Sequence, residues 1–109
     1  MVELIEEHVI SEEYLNIIIK VKAMEVGFID GKKVGDTFEL DEIKIKDGYK
    51  GEGFGKQSLE KLRVLLQGKY GIRRITGEAR HPETSYDELV VFYTKCGYTV
   101  KNRMIEIVW

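Results

Sequence analysis

The chain has 109 residues, of which 43% are hydrophobic and 33% charged, and a net charge of −2, which fits one globular domain with a single core. The near-neutral balance excludes a basic nucleic-acid footprint, and no apolar run approaches the roughly 20 residues of a membrane helix. The acidic start does not read as a signal peptide, and the lone Cys96 excludes an internal disulfide or a cysteine-based metal site, so a cytoplasmic protein without nucleic-acid or membrane partners is expected.

Residues 4–10 are a strand candidate. Over residues 14–29, Ile17, Ile19, Val21 and Ala23 face one way while Asn16, Ile18, Lys20 and Lys22 face the other. That is long for one strand, so a bulge or break is expected near residues 23–25. Asp30-Gly31 is a hairpin turn signal, and residues 34–46 return as a second long strand, loosened by Gly35. In this strand Phe38 and Leu40 have even parity, whereas Ile43 and Ile45 are odd. One extra residue at Asp41-Glu42, a β-bulge, would return all four to one face. Otherwise the two pairs face different cores, or the strand ends at Leu40.

The next stretch, Lys46-Asp-Gly-Tyr-Lys-Gly-Glu-Gly-Phe-Gly-Lys56, holds four glycines in eight positions: Gly48, Gly51, Gly53 and Gly55. A helix pattern follows at once over residues 55–67, with Leu59, Leu62, Leu65 and Leu66 at helical spacing and Gly68 and Gly71 as stop signals. A loop stripped of side chains before a helix N-terminus can aim several free N–H groups at one spot, where the helix dipole adds positive charge. Glycine also lets a ligand approach the main chain. This arrangement suits a phosphate or pyrophosphate, whereas a plain tight turn needs one or two glycines. Two nucleotide motifs fail on spacing. A dinucleotide fingerprint would need glycine at Lys56 or Ser58, and a Walker A loop would need glycine at Lys50 and Ser or Thr at Gln57.

Residues 72–79 read as a strand, followed by a polar loop over 80–84 that holds the only proline. Ser85-Tyr-Asp-Glu88 is a capping box, opening a second helix that carries Leu89, Val90, Phe92 and Tyr93 and closes at Gly97. Residues 98–100 and 104–109 form two final strands joined at Lys101-Asn-Arg103. The predicted order is β-β-β-α-β-α-β-β, an α/β (α+β) chain with a mixed sheet.

Within that order, Lys50-Gly-Glu-Gly-Phe-Gly55 resembles the acyl-CoA pyrophosphate loop (Q/R-x-x-G-x-G/A) of the Gcn5-related N-acetyltransferases, the GNAT superfamily. Phe92-Tyr-Thr-Lys-Cys-Gly-Tyr98 resembles its second signature, F/L-Y-E-K-x-G-F. The two occur in the family's order, each on a helix preceded by a strand, and the resemblance covers residues 34–109 and more loosely 26–29. Lys50 replaces the usual Arg or Gln, keeping a cation but losing the bidentate fork. Tyr86 stands where Asn is common and Leu89 where Ala is common. The family's N-terminal helix pair, which covers much of the acceptor site, is missing, as in small phage-type acetyltransferases of similar size.

The resemblance implies a GNAT-like, mostly antiparallel sheet with a central splayed strand pair, and a single acyl-CoA N-acyltransferase domain over residues 1–109. It implies an acetyltransferase with acetyl-CoA as co-substrate, acting on a primary amine of a small molecule or a protein lysine; an open site suits a large or protruding acceptor. It also implies that the backbone of Glu42, Ile43, Lys44 and Ile45 pairs with the pantetheine arm, beside a splayed neighbour at residues 75–79. The N–H groups of Gly51, Glu52, Gly53, Phe54, Gly55 and Lys56, with Lys50, then hold the pyrophosphate. Tyr93 matches the Tyr of the second signature and is the implied general acid for the departing thiolate; the plainer reading makes it a core aromatic beside Phe92.

An alkylammonium, with a pKa near ~10.4, must lose a proton before it can attack. Glu42, acting through water, is the first choice of base, followed by Asp41, Glu78 and His81, each otherwise a solvated surface residue. His8 offers His81 no obvious partner for a metal, and no metal is expected. Asp41 and Glu42 can instead attract a cationic acceptor. Cys96 reads as structural, and Trp109 as core packing or a subunit contact in a homodimer. The competing reading is a non-catalytic module that binds acyl-CoA or a protein partner; a small polypeptide inhibitor is a third.

Overall fold

The computed structural model describes residues 1–7 and 13–109. The elements run β1 (Glu3–Glu6), β2 (Tyr14–Val21), β3 (Met24–Val34), β4 (Thr37–Ile45), α1 (Phe54–Tyr70), β5 (Arg74–Glu78), α2 (Tyr86–Lys95), β6 (Thr99–Lys101) and β7 (Met104–Val108). All seven strands join one sheet in the order β1-β2-β3-β4-β5-β7-β6. Every neighbouring pair is antiparallel except β4–β5, which is parallel. The mixed, mostly antiparallel sheet with two helices is thus as expected, with four strands rather than three before the first helix. Part of the strand expected over residues 4–10, including His8, lies outside the described residues.

The additional strand comes from a hairpin that the sequence disguises. The chain reverses at Lys22-Ala23, between the paired residues Val21 and Met24. Both turn residues are left-handed, with φ of 51° and 68°, as a two-residue hairpin requires, yet neither is the Asn, Asp or Gly that usually marks one. Asp30-Gly31, expected as a turn, instead lies within β3, where Gly31 pairs with Leu15 on one side and Leu40 on the other. The glycine serves close packing: a Cβ there would stand 2.2 Å from the Phe38 ring. The β3–β4 reversal falls at Gly35-Asp36, next to the Val34–Thr37 pair.

The strand registers sort the side chains by face. Leu15, Ile17, Ile19, Ile29, Phe38 and Leu40 share a face with Ile75 and Ile105, and all are buried. Against this face α1 places Leu59, Leu62 and Leu66, and α2 places Leu89 and Tyr93. Burying each large apolar side chain contributes about 1.5–3 kcal/mol. The opposite face, with Asn16, Ile18, Phe28, Asp30 and Glu42, is not covered by a helix among the described residues.

Helix ends follow local chemistry. Gly71 ends α1 in a left-handed conformation at φ 65°, its N–H bonded to the Gln67 carbonyl, whereas Gly68 lies inside the helix and stops nothing. Ser85 caps α2 by accepting the Glu88 N–H at 3.2 Å. Gly97, at φ 90°, lets the Tyr98 N–H turn back to the Tyr93 carbonyl at 2.9 Å. The edge strand β1 is tied to α1 through Glu6, which accepts from Lys69 at 2.6 Å and from the Tyr70 hydroxyl.

Candidate functional site

The parity break in β4 is a bulge. Glu42 pairs with Asp30 and Leu40 with Gly31, leaving Asp41 as the extra residue. Ile43 and Ile45, opposite Ile29 and Gly27, therefore return to the face of Phe38 and Leu40. The same point ends the parallel pairing with β5, whose last matched pair is Leu40–Gly77. Beyond it β4 runs on to Ile45 while β5 stops at Glu78 and stays with β7. Among the described residues, 41–45 therefore keep a ladder to β3 alone, and backbone groups on their other edge are open to bond something else.

The separation opens a cavity of about 480 Å³. Leu40 and residues 41–45 form one wall. The glycine loop and the first turn of α1 form the end, through Lys50, Gly51, Gly53, Phe54, Gly55 and Lys56. Glu78, Arg80, His81 and Thr84 stand opposite, with Leu89, Phe92, Tyr93 and Cys96 from α2. The fold thus brings together every residue singled out from the sequence for this site except Glu52, which is exposed in the loop and does not line the cavity. Tyr49, Arg80, Thr84 and Phe92 also line it without having been assigned to it. The capping box could have pointed to Thr84, since it fixes where the β5–α2 connection meets the helix.

The end wall is built for an anion. Gly53 precedes α1 at φ 80° and ψ 10°, with no side chain capping the helix and no acidic residue in its first turn. Helix N–H groups are therefore open towards the cavity, beside Lys50 and Lys56. Gly55 lets the helix start press onto α2, since a Cβ there would lie 3.1 Å from the Phe92 ring.

No protein-family model and no curated protein matches the chain. Solved structures do. PaiA N-acetyltransferase from Thermoplasma acidophilum, in complex with coenzyme A, is 22% identical with a TM-score of 0.72, over 89% of this chain and 62% of its own. Spermidine N-acetyltransferase from Vibrio cholerae, a dodecamer, is 12% identical with a TM-score of 0.74, over 89% and 66%. An acetyltransferase from Thermus thermophilus is 18% identical with a TM-score of 0.70, over 92% and 67%. The chain has the GNAT fold. It spans about two thirds of the length of these proteins, between 62% and 67%.

Within this GNAT fold, Tyr93 lies on α2 with its ring edge-on to Phe92 and Tyr98, at centroid distances of 5.1 and 5.6 Å. Among the described residues its hydroxyl has no hydrogen-bond partner, yet it is not one of the sealed, unpaired polar atoms; it opens onto the cavity it lines. Burial pushes its pKa up to about 12, so the phenol stays protonated throughout the physiological range. Burial likewise pushes Cys96 up to about 11, which suppresses the reactive thiolate and fits a structural role.

The candidate bases occupy different positions. Glu42 lies 3.8 Å from His81 Nε2. His81 Nδ1 accepts the Glu83 N–H at 3.1 Å, so the neutral imidazole carries its proton on Nε2, towards Glu42. Asp41 accepts from the Tyr14 hydroxyl at 2.9 Å, and that bond, more than burial, pushes Tyr14 up to about 12. Glu78 stands 4.0 Å from the Arg80 guanidinium. A second cavity of about 290 Å³ shares Leu40, Asp41, Glu78 and Arg80 with the first and is otherwise lined by Glu39, Thr76, Gly77 and Met104. Glu39, Thr76 and Met104 belong to the helix-free face, so the two cavities meet through the split in the sheet. Trp109 packs against the core, and its backbone N–H donates to the Arg73 carbonyl at 3.1 Å. Among the described residues, no group of three or more His, Cys, Asp or Glu is placed to hold a metal ion, and no helix is long and apolar enough to cross a membrane.

Proposed function

We propose that this protein is an acetyl-CoA-dependent N-acetyltransferase acting on a primary amine, and that a protein lysine is a suitable acceptor. The observation that carries the reading is the split between β4 and β5 opening directly onto a helix N-terminus with no acidic residue in its first turn. A long ligand that is polyanionic at one end and amide-bearing along its arm matches both parts at once. The free edge of Ile43, Lys44 and Ile45 pairs with the pantetheine amides. The N–H groups of residues 51–56, aided by Lys50, take the pyrophosphate. Glu52 contributes through its backbone alone.

In the reaction, the amine nitrogen attacks the thioester carbonyl carbon, the C–S bond breaks, and the products are the N-acetyl amine and the free thiol of CoA. Tyr93 donates a hydrogen bond to the sulfur as charge develops on it. A phenol near 12 is a weaker acid than a thiol of ~8.5, so its part is a hydrogen bond to the thiolate, with the final proton supplied from solvent. The amine arrives through the second cavity, where Glu39, Asp41 and Glu78 outnumber Arg80 and favour a cation. Asp41 and Glu78 border both cavities, which supports a role for them in taking its proton. Glu42 stands in the donor cavity beside His81 and reaches the amine through water.

The test is isothermal calorimetry with acetyl-CoA, followed by thiol release on adding lysine-rich peptides or polyamines. Binding with release supports an enzyme. Binding without release to any amine supports the non-catalytic acyl-CoA module, and no binding at millimolar ligand sinks both.

A further inference from the structure

The connection between β5 and α2 reaches back across the split. His81 and Thr84 form an isolated bridge, and the Glu83 amide donates to His81 Nδ1 at 3.1 Å. This turn presents the Glu83 carboxylate to two cations at once. One oxygen is 3.9 Å from Lys44 Nζ and the other is 3.9 Å from Lys50 Nζ. Lys44 belongs to the half of β4 that β5 does not flank and Lys50 to the glycine loop. One carboxylate therefore spans both walls of the cavity. Glu83 does not itself line that cavity; it stands at the rim, against two lysines that do.

The contact is placed to be broken. The Glu83 side chain is 53% exposed, and those of Lys44 and Lys50 are 37% and 49% exposed. Exposed ion pairs of this kind hold weakly, and a glutamate turns outward by rotation about its own bonds. Lys50 keeps a second carboxylate, Asp47, at 3.1 Å, whereas among the described residues Lys44 pairs with Glu83 alone. Any ligand that brings phosphates to the glycine loop meets the Glu83 charge beside the cations it needs.

We infer that Glu83 is a displaceable internal anion that sets the affinity of the cleft for its phosphorylated ligand. It neutralises Lys44 and Lys50 in the empty site, gives way when a polyanionic head group arrives, and returns as that group leaves. The identity of the head group as that of acyl-CoA rests on the reading above. The competition itself rests on the contacts between Glu83, Lys44 and Lys50.

The experiment is calorimetric titration of the wild-type protein and Glu83→Gln with two probes, CoA and inorganic tripolyphosphate, at low and high salt. A like charge at about 4 Å in a water-like dielectric corresponds to roughly a fivefold change in affinity. Glu83→Gln should bind both probes about three- to tenfold more tightly at low salt, and the difference should close at high salt. Adding Lys44→Met to Glu83→Gln should cancel much of the gain. Equal or weaker binding of tripolyphosphate by Glu83→Gln overturns the inference. If tripolyphosphate behaves as expected and CoA binds neither protein, the competition stands and the acyl-CoA reading falls. If CoA binds both proteins equally, the acyl-CoA reading stands and the role of Glu83 falls.

Discussion

Strand β4 is two regions on one backbone. Residues 37–40 have β3 on one side and β5 on the other, and Thr37, Phe38 and Leu40 are buried. Residues 41–45 keep β3 but lose β5; Asp41 is exposed, and the next four residues are half-buried. Composition does not separate them, since each carries two large apolar residues and at least one acid. What differs is the neighbour. A strand flanked on both sides spends its N–H and C=O groups on the sheet and contributes stability. Deprived of one neighbour it offers those groups outward, and its side chains become the wall of a cleft. The bulge at Asp41 sits at the boundary and keeps Ile43 and Ile45 aimed at the helix side.

The largest expected effect separates the two halves by truncation. Phe38→Ala, at a fully buried site, should cost about 3–5 kcal/mol in urea denaturation. Ile43→Ala, half-buried on the cleft wall, should cost about 1 kcal/mol and show its main effect in acetyl-CoA affinity. If the two substitutions destabilise equally, the outer half of β4 is core, and the contrast fails.

Next in size is Tyr93→Phe, which bears on the cleft alone. A hydrogen bond to a charged group contributes about 1.5–3 kcal/mol, so turnover should fall roughly 10- to 100-fold. The KM for acetyl-CoA and the urea midpoint should hardly move, because the lost hydroxyl faces the cavity and bonds to no described residue. Unchanged turnover would return Tyr93 to the role of a packing aromatic beside Phe92 and Tyr98.

Much of this arrangement was legible in the sequence because it leaves periodic or steric marks. The bulge shows in the parity of Phe38, Leu40, Ile43 and Ile45. The open helix start shows in the glycines, and α2 in its Ser85 cap. The Lys22-Ala23 hairpin was legible only as the break expected near residues 23–25 and not as a turn, because its left-handed residues carry ordinary side chains held there by the flanking strands. Asp30-Gly31 misled for the converse reason: a glycine demanded by the Phe38 ring looks the same in sequence as one demanded by a turn. Nor could spacing reveal that Glu83 lies against Lys44 and Lys50, since those contacts join segments more than thirty residues apart. Pairing from a distant loop becomes visible only once the sheet has split.

The smallest expected effect compares two carboxylates, one in the closed part of the fold and one beside the split. Burial pushes Glu6 up, but hydrogen bonds from Lys69 and Tyr70 outweigh it and hold the carboxyl below its ordinary value. Asp30, which faces Glu42 across the bulge, is raised by burial and then by the charges of Glu42, Asp41 and Glu7. The signs oppose. The depressed Glu6 contributes stability that is present above its unfolded value of ~4.3 and lost as pH falls through its lower folded value. The raised Asp30 contributes stability that is full below its unfolded value of ~3.9 and lost as pH rises through its higher folded value. At pH ~7, Glu6→Gln should therefore destabilise and Asp30→Asn stabilise, each by less than about 1 kcal/mol once solvent screening is allowed for. Both differences should shrink when the urea midpoints are measured again near pH ~3.5, where the two acids are largely protonated in the unfolded chain. A loss of stability in Asp30→Asn at pH ~7 would mean that the buried, unpaired Asp30 Oδ1 is held by interactions that favour the anion. The acidic side of the split would then stabilise the fold instead of straining it.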